Sequence, residues 1–405
     1  MPITRRTANM LLAATAAISP VASGGTKSKR SHRYDVAVIG AGSFGAWTAH
    51  HLQRSGLRTL LVDAYGPSNS RASSGGESRI IRTSYGDQDF YSGWAWQSLP
   101  EWKALERRTG QTIFTPTGVL VFGGEGARFL AASHKALADR GIPHQMLGHD
   151  ELRHRFPQLA LRSGEVGLLE PAAGALFARR AIQALVADSI RHGLEYRQVA
   201  VAAPRGEGAR AIVETTTAEP IDADRFVYAC GPWLRTVFAT ELGGHLRADR
   251  AEVYFLGVPA GDGRFAGTAF PAWMDVNDGA EAWGIPDLEN RGFKLAVDKL
   301  TIPADPDRMN REPTPEFLAL VRSYVAERFP LLVDAPVVET RVCQYEMTPN
   351  EEYLVDRHPR FANVWWAGGG SGHGFKTGPA VGAYVASVVR DAATIDPRFQ
   401  RGKPA

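Results

Sequence analysis

Tyr34-Asp35-Val36-Ala37-Val38-Ile39 runs without a break into Gly40-Ala41-Gly42-Ser43-Phe44-Gly45. The first six residues are apolar but for Asp35, the pattern of a strand buried on both faces. The glycines then fall at the spacing Gly-x-Gly-x-x-Gly, and Ala46 to Arg54 reads as a helix. In such a turn the first glycine permits the tight bend. The second lets backbone approach a pyrophosphate, and the third lets helix and strand pack closely. The helix N-terminus offers free N–H groups and partial positive charge to the phosphates. Arg58 to Val62 reads as a second buried strand, and Asp63 at its end stands where an acid accepts ribose hydroxyls. Gly40, Gly42, Ser43, Phe44, Gly45 and Asp63 are therefore predicted to hold a dinucleotide. This fingerprint alone does not separate FAD from NAD.

Outward from this βαβ unit, periodic helices alternate with short strands. Phe177 to His192 reads as a helix and Asp224 to Cys230 as a strand, while Leu194 to Thr217 alternates as antiparallel strands do. Asn363 to Ala367 is a further strand, followed by a glycine-rich loop and a helix through Val381 to Ala386. Dinucleotide-type segments at the start, middle and end imply a discontinuous cofactor domain. The predicted fold class is α/β (α+β, two-domain): a discontinuous Rossmann-type dinucleotide-binding domain with an inserted antiparallel-sheet substrate domain. Residues 34–115, 166–234 and 336–395 are assigned to the first, 116–165 and 235–335 to the second, and 396–405 to a tail.

The net charge is +3, but six basic residues and no acid precede Tyr34, leaving the remaining chain at −3. That body has no basic footprint for nucleic acid. Two cysteines, Cys230 and Cys343, exclude a disulfide scaffold. Thr4-Arg5-Arg6-Thr7, a mildly apolar run from Ala8 to Ile18 and the small residues Val21-Ala22-Ser23 form the pattern of a twin-arginine export signal over 1–33. Periplasmic or secreted localisation is expected; a basic tail on a cytoplasmic protein is the alternative. The run is too short and alanine-rich to span a bilayer.

Five further motifs occur in order: Gly76-Glu77-Ser78-Arg79-Ile80-Ile81-Arg82, Thr117 to Gly123, Gly292-Phe293-Lys294, Cys343-Gln344-Tyr345, and Ser371-Gly372-His373-Gly374-Phe375-Lys376. Together they resemble the monomeric sarcosine oxidase and N-methyl-amino-acid oxidase family, among the D-amino-acid oxidase-like flavoproteins. The resemblance extends from Tyr34 to about Val389 and selects FAD. By that resemblance Cys343 forms a thioether to the flavin, although a lone cysteine taken bare is a small buried hydrophobe. It likewise implies that Lys294 sits over the flavin face and assists reaction with O₂. Arg82 and Lys376 would clamp a substrate carboxylate, and Arg79 would lie near the flavin. Gly372 and Gly374 would let backbone approach the ring. Tyr345 either shapes the substrate pocket or is a core tyrosine, and His373 is expected as a wall residue rather than a base. No metal is implied.

Two departures bear on substrate. Gly75 stands where the family often has His, and Asp298 replaces the His typical after Gly-Phe-Lys-Leu-Ala-Val. An acid there favours larger or more cationic amines than sarcosine. The resemblance thus implies a monomeric amine oxidase acting on an N-methyl or other secondary amino acid, with O₂ reduced to H₂O₂. A dehydrogenase of the same fold feeding a quinone or carrier is one alternative; a non-catalytic exported flavoprotein is another.

Overall fold

The structure is a computed structural model that describes residues 34–277, 282–298 and 302–402. The export-signal reading of residues 1–33 lies outside them. Among the described residues, six strands form one sheet in the order Leu354–Arg357, Val364–Gly368, Ala223–Tyr228, Tyr34–Ile39, Thr59–Asp63, Glu195–Gln198. All neighbours are parallel except the Leu354–Arg357 edge. Tyr34–Ile39 occupies the interior of this sheet, which is why it carries no polar alternation.

The first helix runs Ser43–Arg54, three residues earlier than periodicity indicated, because Gly42 sits in extended backbone at its N-cap. The C-terminal helix Gly378–Asp391 lies against it. A Cβ on Gly382 would come within 2.5 Å of Trp47 Cβ, and one on Gly378 within 2.3 Å of Ser43 Oγ. Those two glycines let the last helix dock on the first, three hundred residues away in sequence.

A second, nine-stranded sheet carries the long strands Arg247–Leu256 and Val337–Met347, paired antiparallel along nearly their whole lengths. It also contains Val119–Gly124, Glu165–Glu170, Ala272–Asp275, Ala282–Ile285 and Phe293–Val297. Two segments grouped with the dinucleotide residues on sequence therefore sit in this other sheet: Val337–Met347 and the strand beginning at Glu165. Glu195–Gln198, expected to be antiparallel, instead extends the parallel sheet beside Thr59–Asp63. Antiparallel bridges do follow it, at Val201–Thr215 and Arg205–Ile212. No helix among the described residues is long and apolar enough to cross a membrane.

Candidate functional site

The glycine turn has the geometry its residues predict. Gly40 has φ +109°, and a Cβ there would lie 2.3 Å from the Ala229 carbonyl oxygen. A Cβ on Gly45 would lie 1.9 Å from the Gly40 carbonyl oxygen, so that glycine serves helix–strand packing. Gly40, Gly42, Ser43, Phe44 and Asp63 line a cavity of about 310 Å³ at the C-terminal ends of the parallel strands. Asp63 has a task the sequence did not reveal: Oδ2 accepts from Ala41 N–H at 2.7 Å, and Oδ1 from Tyr65 and Gly66 N–H at 2.8 and 2.9 Å. The carboxylate therefore also fixes the turn. Burial raises its pKa, and those three N–H groups act against the rise.

The opposite wall comes from the end of the chain. Gly370, Gly372, Gly374 and Phe375 line the same cavity. Ser43 Oγ donates to the Phe375 carbonyl at 3.3 Å, and a Cβ on Gly374 would lie 2.8 Å from the Phe44 ring. An added methyl at Gly374 would thus displace the ring that lines the cavity.

A second cavity, of about 360 Å³, adjoins the first; both are lined by Arg79, Tyr345, Gly372 and Phe375. One wall is a single face of the antiparallel sheet. Residues directly opposite in antiparallel strands share a face. Phe255 pairs with Lys294, Val253 with Arg341, Ala251 with Cys343 and Asp249 with Tyr345. All eight line the cavity, and Lys294, Cys343 and Tyr345 therefore look into one space. Lys294 lies within the strand Phe293–Val297.

Lys294 Nζ donates to the Ser78 carbonyl at 2.7 Å and to Ser78 Oγ at 3.2 Å. Burial, reinforced by Arg79, drives its pKa well down. Arg79 Nη2 lies 3.7 Å from Cys343 Sγ and donates to the Ser73 carbonyl at 2.5 Å. Cys343 is half-buried with a free thiol. Burial pushes the Tyr345 phenol up, and Asp298 adds to the shift.

Across the cavity stand Arg82 and Lys376. Arg82 is buried over the Tyr85 ring at 4.5 Å, and its Nη1 has no hydrogen-bond partner among the described residues. Lys376 Nζ donates to Tyr85 Oη and the His373 carbonyl, each at 3.0 Å. Burial, then Arg82, lowers its pKa well below that of a free lysine. His373 is neutral, its pKa brought down to about 3 by burial and then by Lys376. Nε2 lies 3.0 Å from the Glu351 carbonyl, so it carries the proton, and Nδ1 accepts from Tyr353 Oη at 3.0 Å. Sequence reasoning missed Ser78 and Tyr85, which seat the two lysines. It also missed Glu170, whose carboxylate receives the N–H groups of Thr83 and Ser84 beside Arg82.

A parallel-sheet dinucleotide cleft that opens into a cavity of buried cations is the architecture of a flavin-type oxidoreductase. The chain belongs to the family of FAD-dependent oxidoreductases, whose model matches residues 35–388. It is 30% identical to a monomeric sarcosine oxidase of Bacillus sp. (strain NS-129), over 90% of this chain and 95% of that one. It is 33% identical to the peroxisomal sarcosine oxidase of Homo sapiens, over 86% of this chain and 90% of that one. The L-proline dehydrogenase of P. horikoshii shares the fold, with TM-score 0.79 and 20% identity over 91% of this chain and 96% of that one. FAD fits the residues present: the glycine cradle accepts a diphosphate, and the two cavities together continue from that cradle to Cys343.

Proposed function

We propose that this chain is an amine oxidase that takes an N-methyl or other secondary amino acid to its imine and reduces O₂ to H₂O₂. The observation that carries the reading is the sheet face presenting Lys294, Cys343 and Tyr345 to a cavity whose far wall holds Arg82 and Lys376. The sarcosine oxidases among its relatives support the amine class.

FAD supplies the two-electron acceptor that can afterwards pass those electrons to O₂. Arg82 and Lys376 hold the substrate carboxylate by charge-assisted bonds and so fix which C–H points toward the cofactor. Because Lys376 is buried among neutral oxygens, a carboxylate beside it restores its protonated form. The C–H hydrogen leaves as hydride with the bonding pair while the free amine's lone pair forms C=N and its N–H proton is released, and water then hydrolyses the imine. O₂ takes up two electrons and two protons. Protonated Lys294 stabilises the negative charge that develops on O₂.

Three finer points belong to the same proposal. The place of Cys343 on the cavity wall supports a thioether, formed from its thiol and a ring methyl of the cofactor with two hydrogens lost to O₂. Asp249 and Asp298 stand on the same sheet face, and Trp283 Nε1 donates to Asp298 Oδ2 at 2.8 Å, which supports larger or cationic amines over sarcosine. Residues 1–33 direct export by the twin-arginine route.

Anaerobic mixing with a panel of N-methyl amino acids, cyclic imino acids and diamines tests the reading. At least one should bleach the flavin, and air should restore its colour with H₂O₂ released. Bleaching that O₂ does not reverse would make the chain a dehydrogenase, and no bleaching by any amine would remove the enzymatic reading.

A further inference from the structure

Strand Val337–Met347 sends Cys343 and Tyr345 to one side and Gln344 and Glu346 to the other. Glu346 is buried and lines the dinucleotide cavity beside Gly40, Gly368 and Gly370. Its Oε2 accepts the Gly369 N–H at 2.7 Å, while among the described residues Oε1 meets no hydrogen-bond partner. Burial raises its pKa to about 7, against the opposing pull of the Gly369 and Gly370 N–H groups.

Among the described residues no cation is ion-paired or hydrogen-bonded to it, and burial with the Gly369 and Gly370 N–H groups sets its titration. Cys230 and Asp63 face the same cavity from the parallel sheet, as do Tyr65, Arg79, Asp307 and Tyr345 from its other walls. Burial raises both the Cys230 thiol and the Asp63 carboxyl. Arg250 and Glu252, on Glu346's own sheet face, are closed on each other at 2.7 Å. Trp233 and Leu234, and the run Gly368–Gly370, bring no titratable group. A buried carboxyl in this setting is a donor in need of an acceptor. The wall that Glu346 shares with Gly40 and Gly42 is where the oxygen-rich linker of the cofactor must pass.

We infer that Glu346 is a cofactor-binding residue: a carboxylic acid whose one oxygen is fixed by Gly369 and whose O–H donates to an acceptor oxygen of FAD's ribityl–diphosphate linker. As a carboxylate it would repel the diphosphate. The inference rests on FAD dependence and not on which amine is oxidised, so its test uses no substrate.

FAD binding to the Cys343→Ser protein, in which any thioether is absent, is followed by flavin fluorescence from pH 5.5 to 9. Donation to FAD stabilises the acid form further. Affinity should therefore be level at low pH and weaken above the pH where free Glu346 ionises, by up to about tenfold per pH unit. Glu346→Gln in the same background keeps a donor and an acceptor. It should bind within about threefold of its parent at pH 6 and lose the weakening above neutrality. A flat profile in the parent, or an undiminished fall in the glutamine variant, overturns the inference. If that variant does not fold, calorimetry of FAD binding to the parent in buffers of different ionisation enthalpy decides. Proton uptake near pH 8 but not at pH 6 is expected, and its absence at both overturns the inference.

Discussion

Lys294 and Lys376 are both buried, and each is held by uncharged oxygens: Ser78 for the first, Tyr85 and the His373 carbonyl for the second. Among the described residues neither has a carboxylate on its ammonium, and each has an arginine nearby that adds to the effect of burial. A depressed lysine pKa means that the charge is lost at a lower pH than for a free lysine. The O₂ half-reaction should therefore slow as pH rises through the lowered Lys294 pKa, with the charged form serving below it. Lys294→Met should slow reoxidation by about a hundredfold or more and abolish that pH dependence, leaving anaerobic reduction within a few-fold. Stopped-flow measurement of the two half-reactions separates these; equal losses in both would assign Lys294 to substrate or cofactor binding. At Cys343 the expectation is visual. Acid-precipitated protein should stay yellow, and Cys343→Ser should give a colourless pellet and a yellow supernatant. A colourless pellet from the unaltered chain would exclude the thioether.

At the scale of elements, the docking of Gly378–Asp391 on Ser43–Arg54 seats the loop that carries Phe375 and Lys376. Trp102 Nε1 donates to the Lys376 carbonyl at 2.9 Å, tying the long helix Asp89–Thr109 to the same loop. Gly382→Val would push a side chain into the Trp47 backbone, at a cost of about 3 kcal/mol. Urea denaturation should show that loss, together with weaker FAD retention; full stability would mean that the helices separate without strain. The strand Val337–Met347 shows why pattern reading grouped it incorrectly. Period-2 alternation signals a strand when one face is dry and the other wet. Here one face carries Cys343 and Tyr345 into the substrate-side cavity while Glu346, on the other, reaches the dinucleotide cavity. With polar groups on both faces there is no alternation to read.

Across the whole molecule, the parallel sheet supplies the cleft and the antiparallel sheet supplies the wall over its reactive end. Residues 1–33 stand before the first strand, and export by them is a separate proposal. Fused to a reporter active only outside the cytoplasm, they should deliver it, and Arg5→Lys/Arg6→Lys should block delivery; undiminished delivery would exclude the twin-arginine route. The sequence by itself determined the glycine turn with Asp63, because the bonds of Asp63 to Ala41, Tyr65 and Gly66 are local in sequence and glycine's conformational freedom is a local property. It determined the ordered motifs for the same reason. Only the tertiary structure decided that Lys294 and Cys343 share a face, since that follows from the registers of two strands against Arg247–Leu256. Register is set by long-range pairing and burial, and a slip of one residue would turn either side chain away from the cavity. The same is true of the opening motif: Gly40 to Gly45 marked a dinucleotide, and the strand ending beside Glu346 and the helix docked on Trp47 enclose the cavity around it.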